Sequence, residues 1–205
     1  NTGYILGSLL IFFPKAIGGA LPQLLSKAID LNNKSKAEQM MDYAIKIFLF
    51  VAIPFLIGSI ILSKEVMGVI FDVELAKNIS IIIPIITLSM TFHCLNLILS
   101  NSLFVMKKTN AIFKVNFFGA LINLFLNLIL IFLFPSILLP AFTTLFSYLI
   151  SFIYMKQVVK QVWSVNFHVK DIFKSIFASC LMGIVIYFLK NIQNNIYELL
   201  LVIIT

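Results

Sequence analysis

The 205-residue chain has no arginine, one tryptophan, two cysteines and eight acidic residues. Charged residues make up only 11% of it, against about 25% in soluble domains, which excludes an ordinary hydrated globular surface. Both cysteines, Cys94 and Cys180, lie inside apolar stretches, so neither a disulfide framework nor metal-ligand spacing is present. There is no P-loop, GxGxxG, HExxH or Ser/His/Asp constellation, and therefore no sequence support for an ATPase, a hydrolase or any other enzyme. No cofactor site is read from the sequence. No segment is of low complexity. The chain does not open on methionine or a signal peptide, and we read it as a piece of a longer protein.

What fills the chain instead is apolar. Hydrophobic residues make up 61%, and mean hydropathy is +1.07. A bilayer core of about 30 Å needs roughly 20 apolar residues as a helix. Six stretches read as spans, at residues 3–29, 43–62, 78–104, 111–134, 141–155 and 173–189, the fifth opening a few residues before 141 to reach the needed length, and a seventh, from residue 196, is cut off. The expected fold is an all-α, polytopic transmembrane helix bundle. The net charge of +7 does not mark a nucleic-acid partner, because the lysines sit in short loops between spans. Eleven lysines follow spans one, three and five, and three follow spans two, four and six. By the positive-inside rule the lysine-rich loops are cytoplasmic and Asn1 is outside.

Local signals fill in the connections. Asn32-Asn33 marks a turn, and Ser35 with Glu38 reads as a capping box opening the next helix. Pro54 is a kink candidate. Residues 63–77 read as an interfacial helix or turn. Residues 135–140 form a tight hairpin link, and 191–195 turn the chain into the seventh span. Between spans five and six, Lys156 and Lys160 are placed to meet anionic head groups, with Trp163 as an interface anchor.

Several residues inside spans are candidates for function. Lys15 lies mid-span, where a lysine costs about 2.5–3.5 kcal/mol on insertion scales. On a continuous helix it shares a face with Ser8, Gly18, Gly19, Pro22 and Ser26. It would either bind an anionic group in a water-filled cavity or snorkel toward an exposed carbonyl. Asn116, Asn123 and Asn127 form one stripe, which would either line a cavity that bonds sugar hydroxyls or join helices. His93, one turn from Asn96, is a possible proton relay or a buried neutral histidine. Thr144, Ser147 and Ser151 read as a helix-packing face. Gly18-Gly19 reads as a site of close helix approach or a bend. No Asp or Glu lies in the six full spans, so no coupling carboxylate is visible.

Ordered motifs then suggest a family. Gly3-Tyr4 followed by Pro22-Gln23-Leu24-Leu25-Ser26-Lys27 resembles the "GY…P-x-x-S-(R/K)" helix of Wzx-type polysaccharide flippases. Leu62-Ser63-Lys64 with Val69-Ile70-Phe71, Asn101-Ser102 before Lys107-Lys108-Thr109-Asn110, and Gly119-Ala120-x-x-Asn123-x-x-x-Asn127 resemble later family segments in order. These flippases belong to the MOP exporter superfamily with MATE drug exporters and MurJ-type lipid II flippases. The resemblance implies that residues 1–155 are a C-terminal transporter lobe without its first helix, and 156–205 appended, truncated helices. It also implies an N-terminal lobe as partner, a bacterial inner-membrane location, and flipping of an undecaprenyl-diphosphate-linked oligosaccharide for surface polysaccharide such as O-antigen or lipopolysaccharide. Lys15, Asn116, Asn123 and Asn127 are then the candidate substrate contacts. A MATE-type drug exporter, a lipid II flippase, a non-transporting scaffold and a truncated gene product are the alternatives.

Overall fold

A computed structural model describes the backbone of residues 5, 7–70, 80–133, 136 and 138–204, and the side chains of these except 70, 131 and 190–204. The described residues form helices and connectors, with no strand, and six helical stretches are long and apolar enough to cross a membrane. The first stretch, Ser8–Asp30, is not the continuous helix expected. A 3-10 turn at Ser8–Ile11 leads into α1 (Phe12–Ile17), Gly18 and Gly19 form a turn, and α2 (Ala20–Asp30) follows. The reason is local. Pro22 has no N–H for the Gly18 carbonyl, and two glycines in a row weaken the helix where that bond is missing. Both glycines are exposed, so they serve the bend and not a close helix approach.

Five long helices complete the chain: α3 (Lys34–Ile70), α4 (Ile82–Val105), α5 (Thr109–Leu133), α6 (Leu139–Lys160) and α7 (Val169–Ile204). α3 stays helical through Ile70, so it absorbs the first part of the expected interfacial segment; residues 71–79 lie outside the described residues. Residues 134, 135 and 137 of the hairpin link also lie outside them. The turn expected at 191–195 does not form. α7 continues through it to Ile204, because Asn and Gln alone do not stop a helix without Gly or Pro.

α4 is the centre of the bundle. It packs against α6, α3 and α2, and against the 3-10 turn. It buries Ile86, Met90, Cys94, Leu95, Ile98 and Leu99 on all sides. Its buried hydroxyls bond their own helix: Thr87 Oγ1 donates to the Ile83 carbonyl at 2.8 Å, and Thr91 Oγ1 to the Thr87 carbonyl at 2.9 Å. In lipid, apolar burial does not itself draw helices together, and small residues that admit a close backbone matter more. α6 shows this with Thr143, Ser147, Ser151, Met155 and Val159, a buried stripe at four-residue spacing. Among the described residues, α7 packs extensively on α3 and on no other helix to a comparable degree. Its buried stripe is Ser175, Ser179 and Gly183, and a Cβ at Gly183 would come within 2.8 Å of Ile61 Cδ1.

Two helix ends close the same way. Asn33 N–H donates to the Ala28 carbonyl and Asn32 N–H to the Ile29 carbonyl, at 2.9 and 2.8 Å, with Asn32 at φ 54°. Lys108 and Lys107 repeat the pattern on Leu103 and Phe104, with Lys107 at φ 57°. This left-handed cap suits glycine and asparagine, and costs other residues about 1–2 kcal/mol. Lys107→Gly should therefore raise the thermal midpoint in detergent, whereas Asn32→Gly should barely move it. The capping box is replaced: Asn33 caps α3, its Oδ1 accepting from the Lys36 N–H at 3.0 Å.

Glu38 is used elsewhere. Its two carboxylate oxygens accept from the Ser164 N–H at 2.9 Å and the Ser164 hydroxyl at 2.7 Å. One turn on, Asp42 Oδ1 accepts from the Asn166 N–H at 2.9 Å. After another turn, Lys46 Nζ pairs with Asp171 at 2.8 Å. Three successive turns of α3 thus hold the extended residues 163–168 and the start of α7. The α2–α3 and α6–α7 connectors therefore share one end of the bundle.

Candidate functional site

α6 packs closely on both α4 and α5, whereas α4 and α5 touch each other sparsely. The gap they leave is a groove of about 550 Å³ with α6 as its floor. His93 and Asn96 come from α4; Asn116, Gly119, Asn123 and Asn127 from α5; Thr144, Ser147, Tyr148 and Ser151 from α6. Nine of its twelve lining residues carry a hydrogen-bonding side chain, and none carries a carboxylate, an ammonium or a guanidinium. A neutral polar trough among apolar spans attracts water or a polar ligand and repels lipid tails.

The floor and one wall are tied together. Asn123 Nδ2 donates to Ser147 Oγ at 3.1 Å and reaches Thr144 Oγ1 at 3.5 Å. Asn127 Nδ2 donates to Asn123 Oδ1 at 3.0 Å, and its own Oδ1 accepts from the Thr143 hydroxyl at 2.9 Å. Asn123 and Asn127 therefore join α5 to α6, the architectural half of the sequence reading. Gly119 lets the helices meet, since a Cβ there would run into the Ser151 hydroxyl. Gly119→Leu should push α5 off α6 and lower stability by about 1–3 kcal/mol. Gly119→Ala should cost less, because the Ser151 hydroxyl can rotate away; thermal unfolding of both variants in detergent checks this.

The opposite wall is different. Asn96 is 5% exposed as a residue and lines the groove. An amide on that wall can both donate to and accept from a polar ligand in the groove. His93 stacks on Tyr148 with ring centroids 4.6 Å apart, and no cluster of three His, Cys, Asp or Glu surrounds it among the described residues. Asn116 is exposed at one end of the groove. Sequence reading placed Asn96 beside His93 without giving it a role; its burial depends on α4 packing, which the sequence does not display.

Lys15 is not part of this groove. It lies exposed on α1, next to the buried Pro14. The three asparagines line the groove and Lys15 does not. Trp163 opens the extended segment that Glu38 and Asp42 hold down, and it is 1% exposed, packed into the core cluster. Lys156 and Lys160 are exposed, with Lys156 Nζ 4.8 Å above the Phe167 ring.

A family model described as Lipid II flippase MurJ matches residues 10–205. No curated protein and no solved structure matches.

Proposed function

The chain belongs to the lipid II flippase family within the MOP superfamily, whose members are transporters and not enzymes, and from that premise we propose that it moves a lipid-linked, diphosphate-bearing glycan precursor across the bacterial inner membrane. The observation that supports this reading most is the neutral polar groove. Amides and hydroxyls suit the hydroxyls and amides of a sugar headgroup, and the Asn96 amide, on the wall opposite the Asn123–Asn127 network, is the first contact we assign. Asn116 is a second candidate, and His93 a proton-relay candidate beside it. Lys15, exposed on α1, would meet the diphosphate. Such transporters work by rocking one helix bundle against another about a mid-membrane site.

Within this reading, residues 1–155 act as a transporter lobe and 156–205 as an appended helical element, in keeping with α7 packing mainly on α3. The lysine asymmetry supports a cytoplasmic position for the end that holds Lys107, Lys108, Lys156 and Lys160. The family favours a cell-wall precursor such as lipid II as cargo. A second reading, an O-antigen-type oligosaccharide, draws on the Wzx-like motifs around Gly119–Asn127.

Depleting the gene and measuring lipid-linked precursors by mass spectrometry tests both. Inner-leaflet accumulation of lipid II with arrested wall synthesis supports the first. Accumulation of another lipid-linked oligosaccharide with loss of surface polysaccharide supports the second. Unchanged precursors with altered resistance to cationic dyes would overturn both in favour of drug export.

A further inference from the structure

A second hollow, of about 610 Å³, lies at the lysine-rich end between the first turn of α3, the last turn of α6 and residues 161–166. Lys34, Lys156 and Lys160 line it, and Glu38 is the only acidic group that does. Glu38 is already engaged, its two oxygens taken by Ser164 and Lys34 lying 4.0 Å away. Three ammonium groups against one occupied carboxylate leave the hollow net positive. Trp163 also lines it, and the indole Nε1–H is buried without an acceptor among the described residues. A sealed donor with no acceptor is costly, so a small turn of the indole that lets it meet an anionic oxygen in the hollow is favoured. The aromatic ring of Phe167 beneath Lys156 holds one of the cations in place.

We propose that this hollow is a binding site for the phosphodiester of an anionic phospholipid headgroup. Lysines surround the phosphate as point charges, and the Trp163 indole stands beside them. The hollow sits where the apolar stretches of α3 and α6 end, at the depth of lipid head groups and not of soluble anions. It is separate from the polar groove, and its occupation does not depend on what the groove carries. A headgroup held there would also bear on the Glu38–Ser164 contact, because Ser164 lines the same hollow.

The chain's one tryptophan is its own reporter. The 205-residue chain in zwitterionic nanodiscs is titrated with short-chain phosphatidylglycerol while Trp163 emission is followed. We expect a saturable change, absent with short-chain phosphatidylcholine. Lys156→Ala/Lys160→Ala should weaken the apparent affinity about tenfold, since each lysine near a lipid surface contributes a similar modest amount. Lys107→Ala/Lys108→Ala, at the same end but outside the hollow, should leave it unchanged. Lys34→Ala provides a second exposed probe, and circular dichroism checks that each variant folds. An equal response to phosphatidylcholine, an equal loss in both lysine pairs, or saturation by inorganic phosphate alone would each overturn the proposal. The last would mark a free anion site.

Discussion

Lys15→Met is expected to cut precursor flipping by one to two orders of magnitude with no loss of folded protein. A hydrogen bond to a charged group contributes about 1.5–3 kcal/mol, and each 1.4 kcal/mol or so is tenfold. The substitution also removes a cation from mid-span, which costs about 2.5–3.5 kcal/mol on insertion scales, so stability should hold or rise. Flipping is read by the accessibility of labelled precursor in cells carrying the variant as the sole copy. Wild-type flipping together with a higher thermal midpoint would show that Lys15 merely snorkels. Asn96→Leu is the companion on the groove wall. It replaces a buried amide by a side chain of similar volume, so a fall in flipping without a fall in stability assigns the amide to cargo.

The second large effect is expected where α3 holds the α6–α7 connector. Glu38→Ala with Lys46→Met removes the two Ser164 bonds and the Asp171 pair together. In lipid there is no hydrophobic drive to keep α7 on α3, so these polar contacts carry an unusual share of its docking. Trypsin cleavage at Lys170 and Lys174 should accelerate at least tenfold, and Trp163 emission should shift toward that of an exposed indole. The Glu38 carboxyl lies beyond the apolar run of α3, which opens at Tyr43. Burial pushes its pKa up, but the Ser164 bonds and Lys34 outweigh this and hold it below its ordinary 4.5. A lowered folded-state value means that its contribution is complete above pH 4.5 and is lost as pH falls through that lower value. Lowering the pH from 7 toward 3 should move Trp163 emission in the same direction as Glu38→Ala, and the variant should respond less.

Much of this architecture is legible in the residues. Six apolar runs of sufficient length fix the number of crossing helices, since nothing but a helix satisfies their backbone in lipid. The tie between α5 and α6 is half visible in the Asn116, Asn123 and Asn127 spacing. It needed Thr143 and Ser147 from another helix to become a network. Three features escaped because they depend on contacts distant in sequence. Glu38 has a capping residue's spacing, yet its partner is 126 positions away. Trp163 has an interface residue's composition, but it packs into the core cluster. Lys15 shares a face with Gly18 and Pro22 only while the helix is unbroken, and those two residues break it. Pattern reading assumed one continuous 3.6-residue period at the point where the chain abandons it.

The packing of α3 has a mechanical consequence. It alone among the described helices packs extensively on both the central α4 and the peripheral α7, while α6 joins α4 and α5. Forces applied to α7 therefore reach the bundle core through α3 and through the connector it clasps. A tilt of α3 would carry α7 with it as one arm, turning against the helices that α6 joins. The stroke of such an arm grows with its length, so a small rotation near the clasp becomes a larger displacement at the far face of the membrane.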